Sequence, residues 1–445
     1  MFTYVKLKNF MSFKNAEFNF KRGKRDVKKF AVIYGENGSG KSNFVNSISF
    51  LRKSIDSFAM TVNMDKISEL RERGIPEAVV DLIQMNSSIL SQAASCRMVE
   101  NEEETSIIYG FEVNGHEGYY CLSFSERFTH EKLYYFTGKQ SGKLFEISVE
   151  DGRLKIFFSE KIFLNKIKAD MEEEIRKFWG KHTFLGILEK ERHEKNEEYI
   201  RANYLSYLFD FSDMLKETTV HYKKSNRSGS EYIAQNPVNL LNNLQEGRIH
   251  TEQAFLLDHS EHILKDFFTQ AYADIKDVYF ERTAENGIIH YKLFVKKMIG
   301  GKVRSIDFSN ESAGTQHILE IIRSLLGAFC GVTVVYDEID NGIHDLLLKN
   351  VLSSMLDDIT GQLIITTHNT YLLESVNVKS VYVITVDYMG NKTVKCLDEY
   401  PRIQGSNNPR IMYLKGLFGG VPIVDSLDYD LIISELNEKK RGDNE

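Results

Sequence analysis

The stretch 29–58 constrains the fold most, because it joins a short apolar run, a glycine-rich turn and an amphipathic pattern. The apolar and β-branched run at 30–34 predicts a buried strand. After the turn, apolar residues recur every three or four positions, which predicts a helix with one buried face. These residues are Phe44, Ile48, Leu51, Ile55 and Phe58. The stretch therefore predicts a strand, a loop and a helix in direct succession.

The turn at 35–42 reads Gly-Glu-Asn-Gly-Ser-Gly-Lys-Ser and matches the P-loop pattern GxxxxGK[ST] in full. Its glycines allow successive backbone N–H groups to point inward at phosphate oxygens. Lys41 is placed to reach the β- and γ-phosphates, and the Ser42 hydroxyl is placed to bind Mg²⁺. A chance glycine-rich turn is the alternative, and the flanking strand and helix disfavour it. We predict an ATP site formed by Asn37, Gly38, Ser39, Gly40, Lys41, Ser42 and Asn43.

Length and composition limit the class of protein. The 445 residues are long for one domain, so we expect a core with an insertion. The net charge of −7 does not favour nucleic acid as a partner, which would need a local basic face. Four scattered cysteines without metal or pairing spacing fit free thiols in a reducing cytosol. With no signal peptide and no apolar run of about 20 residues, we expect a soluble cytoplasmic protein without a membrane partner.

The polarity pattern changes along the chain and divides it into three parts. Alternating apolar and polar residues predict strands near the N-terminus and an antiparallel sheet over 106–158. Helical spacing with many charges follows and suits an inserted helical region with a short protruding hairpin. We expect an N-terminal part of an α/β head at 1–158 with a helical insert at about 61–104, a helical insertion at 159–275, and the C-terminal part of the head at 276–445.

A second group of candidate catalytic residues lies at 331–340, where a valine-rich strand ends in two adjacent carboxylates. In a P-loop fold we expect this strand to lie parallel to the first strand and next to it. Asp337 would then reach a Mg²⁺ ion beside Ser42, and Glu338 would polarise a water for attack on the γ-phosphate. The alternative is an ordinary solvated strand end, which is common in isolation. Together with an intact P-loop, the pair predicts a hydrolytic site.

Two further elements flank this strand. Ser312, Ala313 and Gly314 open a periodic helix, and a Ser-x-Gly turn at a helix start is a ready anion site. The alternative is a plain capped helix with Asn310 or Ser312 as N-cap. Further on, an apolar strand at 363–366 is followed by His368, which is placed to hydrogen-bond the γ-phosphate. A single histidine is more often structural, so the order of the motifs must decide.

The order P-loop, Ser-x-Gly helix, Asp-Glu strand and strand-His resembles the ABC-type ATPase head. The resemblance is to the branch with the RecF, SMC and OLD-type ATPases, and within it to stand-alone ABC-like ATPases of bacterial anti-phage systems. It implies an α/β head with a mixed sheet, an antiparallel β lobe and an inserted helical region. The segment SAGTQ matches the ABC signature at Ser312 and Gly314 but departs from it at Ala313 and Thr315.

The resemblance also implies a mechanism. Two subunits would face each other around ATP, each nucleotide being held by the P-loop of one subunit and by Ser312, Gly314 and Asp340 of the other. Glu338 and His368 would be catalytic, and Ser42 and Asp337 would hold Mg²⁺. Hydrolysis would then release the dimer or change its shape.

The C-terminal segment 402–427 bears on the partner. Its YL-x-G-x-[FY]-G pattern resembles a segment of defence ATPases that are encoded with a separate nuclease, and the alternative is a plain loop with a Gly-Gly turn. The stretch after His368 is too short for a nuclease domain of about 100 residues, so we expect a separate effector nuclease. A RecF-like DNA-binding ATPase of repair is the second hypothesis, with the basic segments 21–29 and 223–229 as its DNA-binding face.

Overall fold

The computed structural model describes residues 1–23, 26–58, 88–137, 140–223, 230–233, 238–400, 408–421, 429–430 and 433. Most of the helical insert expected at 61–104 lies outside these residues. Parts of both basic segments and of the C-terminal segment lie outside them as well.

The strands are numbered in chain order. They are β1 (Phe2–Phe10), β2 (Phe13–Asn19), β3 (Lys21–Arg22), β4 (Asp26–Val27), β5 (Phe30–Gly35), β6 (Thr105–Val113), β7 (His116–Phe124), β8 (Phe128–Thr137), β9 (Gln140–Glu150), β10 (Arg153–Phe158), β11 (Thr219–Lys223), β12 (Ser230–Ile233), β13 (Glu246–His250), β14 (Ile275–Glu285), β15 (Ile288–Ile299), β16 (Lys302–Asp307), β17 (Thr333–Tyr336), β18 (Gln362–Thr366), β19 (Val381–Val386) and β20 (Lys392–Cys396).

The α-helices lie between these strands and after them. They are α1 (Lys41–Ile55), α2 (Ile89–Cys96), α3 (Lys168–Phe178), α4 (Phe184–Glu194), α5 (Glu197–Asn203), α6 (Tyr207–Glu217), α7 (Ala254–Ala271), α8 (Ala313–Phe329), α9 (Asp345–Ser353) and α10 (Pro409–Leu414). Among the described residues, no helix is both long enough and apolar enough to cross a bilayer.

The N-terminal strands form a seven-stranded antiparallel sheet in the order β10-β9-β8-β7-β6-β1-β2. Its strands alternate in burial because one face packs into an apolar core and the other faces solvent. Core residues from this sheet, such as Leu7 and Tyr109, share a cluster with Phe44 and Ile48 of α1. The antiparallel β lobe expected from the alternating pattern is confirmed.

The second layer is a mixed central sheet in the order β12-β11-β17-β18-β5-β19-β20. The five strands from β11 to β19 in this order run parallel, and β12 and β20 add antiparallel edges. Strands β5, β17 and β18 are buried along their whole length, because apolar clusters cover both faces of the sheet. Parallel strands bring their carboxyl ends to one edge, where the predicted site residues follow them.

The order of the central strands corrects one expectation. We expected β17 to lie next to β5, but β18 lies between them and pairs in parallel with both. Ile364 of β18 aligns with Val335 on one side and with Ala31 on the other. The physical reason is the crossover through α9, since a strand that follows a short crossover helix usually docks beside the strand before it.

The region 159–275 also differs from the helical insertion that we expected. Helices α3 to α6 occupy its first part, but β11 then joins the central sheet beside β17, with Val220 aligned with Val335. Strand β13 joins β14, β15 and β16 in a separate four-stranded sheet. Strand β11 has only five residues of mixed polarity, so its pairing with a distant strand, and not a local pattern, decides its structure.

Gln362 connects the central sheet to the antiparallel sheet. Its fully buried side chain accepts the Phe2 N–H at 2.7 Å and donates to the Phe2 carbonyl at 2.8 Å. It also donates to the carbonyl of Lys28 at 3.1 Å. The start of β18 is therefore fixed to β1, while its other end lies at the edge with the predicted site.

Candidate nucleotide site

The P-loop runs from the end of β5 to the start of α1, as the sequence predicts. Gly40 precedes the helix with φ 109°, and a Cβ there would lie 2.7 Å from Cζ of Phe13. Gly38 has φ 79° and open space where a side chain would project. No side chain caps the first turn of α1, so its leading N–H groups remain available to a ligand.

Lys41 is folded onto the loop that carries it. Its side chain is 6 % exposed, and Nζ donates to the carbonyls of Gly35 at 2.8 Å and Glu36 at 3.1 Å. Burial lowers the pKa of Lys41, while the carboxylates of Asp337 and Glu338 act in the opposite direction. Close by in sequence, the buried Ser39 hydroxyl has no hydrogen-bond partner among the described residues. A bound phosphate would satisfy both groups, so the residues present fit a nucleotide.

Asp337 follows β17 and is 4 % exposed. The Thr366 hydroxyl donates to its Oδ1 at 2.5 Å, and the Ser42 hydroxyl lies near the same carboxylate. Burial raises the pKa of Asp337, although both hydroxyls and Lys41 lower it. The two residues predicted to hold Mg²⁺ therefore lie near each other, although β18 separates the strands that precede them. A hydroxyl and a carboxylate make an oxygen-only donor pair, which is the type that Mg²⁺ prefers.

Glu338 has a strained backbone. Its φ of 49° lies in the left-handed region, which costs a non-glycine residue about 1 to 2 kcal/mol. Two hydrogen bonds hold it there, from its N–H to Thr366 Oγ1 at 2.8 Å and from the Asn341 N–H to its carbonyl at 3.1 Å. Such strain clusters at functional sites, where it fixes the direction of a side chain.

Asp340 and His368 lie together at the same edge. The His368 N–H donates to Asp340 Oδ2 at 3.0 Å, and the buried Oδ1 has no partner among the described residues. Burial of the ring lowers the pKa of His368, and Lys41 lowers it further, so the imidazole is neutral near pH 7. Within one chain, the structure thus brings the P-loop, the Asp-Glu pair, Asp340 and His368 together.

The Ser-x-Gly turn lies at the start of α8. The Ser312 side chain accepts the N–H of Thr315 at 3.2 Å, so it is the N-cap of the helix. Gly314 packs on the loop that carries Asp340, because a Cβ at 314 would lie 2.3 Å from the Gly342 carbonyl oxygen. Among the described residues, no hydrogen bond joins Ser312 or Gly314 to the P-loop of the same chain. Their contact with ATP in trans stays a prediction.

Sequence reasoning missed three residues at this edge. Thr366 binds both members of the Asp-Glu pair, and only its place two residues before His368 hints at this role. Lys392 donates to the Gly38 carbonyl at 2.6 Å and to the Ser12 hydroxyl at 2.5 Å. Ser12 and Lys392 come from opposite ends of the chain and belong to no motif, so no sequence signal pointed to them.

Residues 408–421 of the C-terminal segment pack around the end of β5. The Tyr413 hydroxyl donates to the Gly420 carbonyl at 2.8 Å, and its ring lies 5.5 Å from that of Tyr34. A Cβ at Gly420 would lie 3.5 Å from Cα of Gly35, the first residue of the P-loop. Arg410 anchors α10 through Glu374 at 2.9 Å. The YL-x-G-x-[FY]-G pattern therefore packs directly on the nucleotide loop.

Two family models match the sequence of this chain. Residues 123–374, more than half of the chain, match the model described as "AAA domain, putative AbiEii toxin, Type IV TA system". Residues 4–54 match a second model described as "AAA domain". No curated protein matches the chain by sequence.

Among solved structures, the chain is similar to SMC heads at low identity. The SMC head domain from Thermotoga maritima is 13% identical, with a TM-score of 0.39, covering 89% of this chain and 98% of that chain. An SMC head bound to the C-winged helix domain of ScpA is 13% identical, with a TM-score of 0.44 and coverage of 88% and 97%. An Smc head with an extended coiled coil, bound to the C-terminal domain of ScpA derived from Pyrococcus furiosus, is 12% identical, with a TM-score of 0.40 and coverage of 94% and 99%.

Proposed function

The chain belongs to the family described as "AAA domain, putative AbiEii toxin, Type IV TA system", and from this membership and the site geometry we propose that it is an ATPase. The observation that carries the proposal is the position of the Asp337 carboxylate near Ser42 and the buried Lys41 of the P-loop. This arrangement joins the two halves of a phosphate and metal site from distant parts of the chain. A family match alone would not require these side chains to meet.

Each residue has a role in the proposed reaction. The N–H groups of the P-loop and Lys41 bind the phosphates, and Ser42 and Asp337 would hold Mg²⁺, which supplies positive charge to the phosphate oxygens. Glu338 orients a water and accepts its proton as the water oxygen attacks the γ-phosphorus. The bond from that phosphorus to the bridging oxygen breaks, so ADP and phosphate leave. His368, neutral near pH 7, hydrogen-bonds the γ-phosphate.

We further propose that two copies close around ATP. The exposed start of α8 would present Ser312 and Gly314 to the nucleotide of the other copy. Because Gly314 packs on Gly342, a movement of the loop with Asp340 would move this turn as well. The ATP-bound dimer would thus differ in shape from the free chain, which is what a switch requires.

The finer function that we propose is control of a separate effector, a nuclease or toxin, in bacterial anti-phage defence. The family description supports the part of this proposal that concerns defence, because it reads "putative AbiEii toxin, Type IV TA system". The C-terminal segment also supports it, through its resemblance to defence ATPases encoded with a nuclease. ATP occupancy would decide whether the effector is held or released.

The DNA-binding alternative has less support from the basic segment 21–29. The Lys28 ammonium donates to the Tyr382 hydroxyl at 2.7 Å and lies 4.8 Å from the centre of its ring. Lys21 donates to Glu117 at 2.7 Å. Both ammonium groups are hydrogen-bonded within the protein, so they do not point toward a DNA phosphate backbone. DNA binding by the purified chain that weakens with added salt would support this alternative.

The test compares three purified proteins in nucleotide binding, ATP hydrolysis and molar mass by light scattering. We expect the parent to bind and hydrolyse ATP, and Lys41→Ala to bind none. We expect Glu338→Gln to bind ATP, to hydrolyse it at least about 100-fold more slowly, and to double its mass when ATP is added. Parental hydrolysis by Glu338→Gln would show that another group is the base. A parent that binds no ATP would refute the proposal as a whole.

The effector needs a separate experiment. The product of the neighbouring gene would be co-expressed with the parent, with Lys41→Ala and with Glu338→Gln. We expect it to co-purify with the chain and its retention to differ between the two variants. Equal retention by all three proteins would argue against control by ATP.

A further inference from the structure

Lys392 is the first residue of β20 and lies against the tip of the P-loop. Its Nζ donates to the carbonyl of Gly38 at 2.6 Å and to the hydroxyl of Ser12 at 2.5 Å. The side chain is half-buried, with its ammonium 5.8 Å from the centre of the Phe13 ring. This cation therefore touches the same loop as Lys41 but belongs to no nucleotide-binding motif.

The ammonium of Lys392 lacks a counter-ion within the described part of the chain, where no carboxylate lies within salt-bridge distance. Its two partners there are neutral oxygens. Burial lowers its pKa, and the more distant carboxylate of Glu36 acts in the opposite direction. Cations held away from water are normally paired with an anion. A half-buried cation without such a pair, next to an anion-binding loop, points to an anionic ligand.

The two lysines contact different carbonyls of the loop. Lys41 contacts the first two carbonyls, those of Gly35 and Glu36. Lys392 contacts the tip and is also connected to the first turn of α1, since the Asn43 amide donates to Ser12 Oγ at 2.6 Å. In P-loops the motif lysine reaches the β- and γ-phosphates, while the loop N–H groups cradle the α- and β-phosphates. A cation at the tip of the loop, connected to the first turn of α1, is therefore placed near the phosphates that these N–H groups cradle.

We propose that Lys392 is a second cationic ligand of the nucleotide, which binds its α- or β-phosphate. The inference rests on the proposed ATP site and extends it by one residue. In the free chain the ammonium is held on neutral oxygens, and nucleotide binding exchanges the Gly38 carbonyl for a charged phosphate oxygen. Charge-assisted hydrogen bonds are roughly twice as strong as neutral ones, so the exchange favours binding. The α- and β-phosphates are both common to ATP and ADP, so Lys392 contributes equally to the binding of both nucleotides.

The test is the affinity of the full chain for ATP and for ADP, each with Mg²⁺, measured by calorimetry. We expect Lys392→Gln to bind both nucleotides about tenfold more weakly, with an unchanged ratio of the two affinities. Lys392→Arg keeps the charge and should stay within about threefold of the parent. Lys395→Gln is the matched control, because it removes the same charge from the same strand at an exposed position beside Tyr400.

Two results would overturn the inference. Parental or tighter binding by Lys392→Gln would mean that the lysine only holds the loop in the free chain. Equal losses for Lys392→Gln and Lys395→Gln would mean that general charge, and not this contact, attracts the nucleotide. Thermal unfolding without nucleotide checks that the variants fold, and Lys392→Met replaces Lys392→Gln if the latter unfolds. A parent that binds neither nucleotide would instead refute the proposed ATP site.

Discussion

The Thr366 hydroxyl lies 2.5 Å from Oδ1 of Asp337 and donates its hydrogen bond to that carboxylate. The same hydroxyl oxygen accepts the backbone N–H of Glu338. One side chain at the end of β18 therefore fixes the rotamer of the proposed metal ligand and the strained backbone of the proposed base. Supporting residues of this kind usually matter almost as much as the ligands that they orient.

Thr366→Val keeps the shape of this side chain but removes the hydroxyl. We expect ATP hydrolysis to fall by about 10- to 100-fold, because Asp337 and Glu338 lose the group that orients them. ATP affinity should stay within about threefold of the parent, since the P-loop is untouched. Steady-state kinetics and calorimetry measure the two effects. Thr366→Ser, which keeps the hydroxyl, should restore most of the rate, and failure of this rescue would count against the role.

Ser312→Arg places a large cation at the start of α8. We expect it to leave ATP binding by the single chain unchanged but to prevent the ATP-dependent doubling of mass in a Glu338→Gln background. Ser312→Ala is the control, because it loses the same N-cap, worth about 1 kcal/mol, without blocking the surface. Light scattering with and without ATP distinguishes the two variants. Dimerisation of Ser312→Arg would show that the turn does not face a partner.

Gly420→Ala tests the contact of the C-terminal segment with the P-loop. Gly420 has φ 71°, and an added Cβ would meet Val383 at 2.6 Å, so the segment must move away from Gly35. We expect lower stability and ATP affinity reduced by about tenfold. Gly416→Ala is a matched control, because its φ is 73° but nothing lies within 4 Å of the added atom. It should lose only about 1 kcal/mol of stability and keep its ATP affinity.

The buried His221 leads us to predict that the folded chain loses stability in acid. Burial and, to a lesser degree, His317 lower the pKa of His221 from 6.5 to about 4, while Glu320 opposes the shift. Between about pH 6.5 and pH 4, this histidine binds a proton in the unfolded chain but stays neutral in the folded chain. Acid therefore favours the unfolded chain, and the free energy of unfolding falls from pH 6.5 toward pH 4. Above pH 6.5 the histidine is neutral in both states and does not change the stability. The free energy of unfolding should fall by about 1 to 2 kcal/mol between pH 7 and pH 5 from this group.

His221→Phe provides the measurement. Phenylalanine keeps the stacking on Tyr336, whose ring centre lies 3.9 Å away, but cannot titrate. Urea unfolding at pH 7 and pH 5 should show a smaller loss of stability for this variant than for the parent. His262→Phe, on a mostly exposed histidine of α7, should retain the full loss. Equal losses in all three proteins would mean that other groups cause the acid sensitivity.

The parts of the fold that the sequence predicted are those with local signals. The P-loop needs only a strand, a turn of set composition and a helix in succession, and all lie within 29–58. The antiparallel strands alternate in polarity between turns, so their pattern is also local. The approach of Asp337 to the P-loop followed from joining two motifs, although the expected strand order was wrong.

The parts that were not predictable depend on distant pairing. Strand β11 has five residues and takes its structure from β17, which is far away along the chain. Ser12 and Lys392 meet at the P-loop only because β1, β2 and β20 converge there in the fold. Thr366 acts through one hydroxyl whose direction depends on the position of β18 between two other strands. None of these relations has a fixed spacing along the chain, so no motif describes them.

Strand β18 is held at both ends by different parts of the molecule. Its last residue is hydrogen-bonded to the Asp337 carboxylate and to the backbone N–H of Glu338, and its first residue is hydrogen-bonded to the backbone of Phe2 in the antiparallel sheet. We expect a displacement at one end of this strand to affect the other end, because hydrogen bonds hold both ends. The antiparallel sheet would then respond to a change at the nucleotide edge without touching the nucleotide, which makes its solvent-facing side a place from which a neighbouring protein can sense that change.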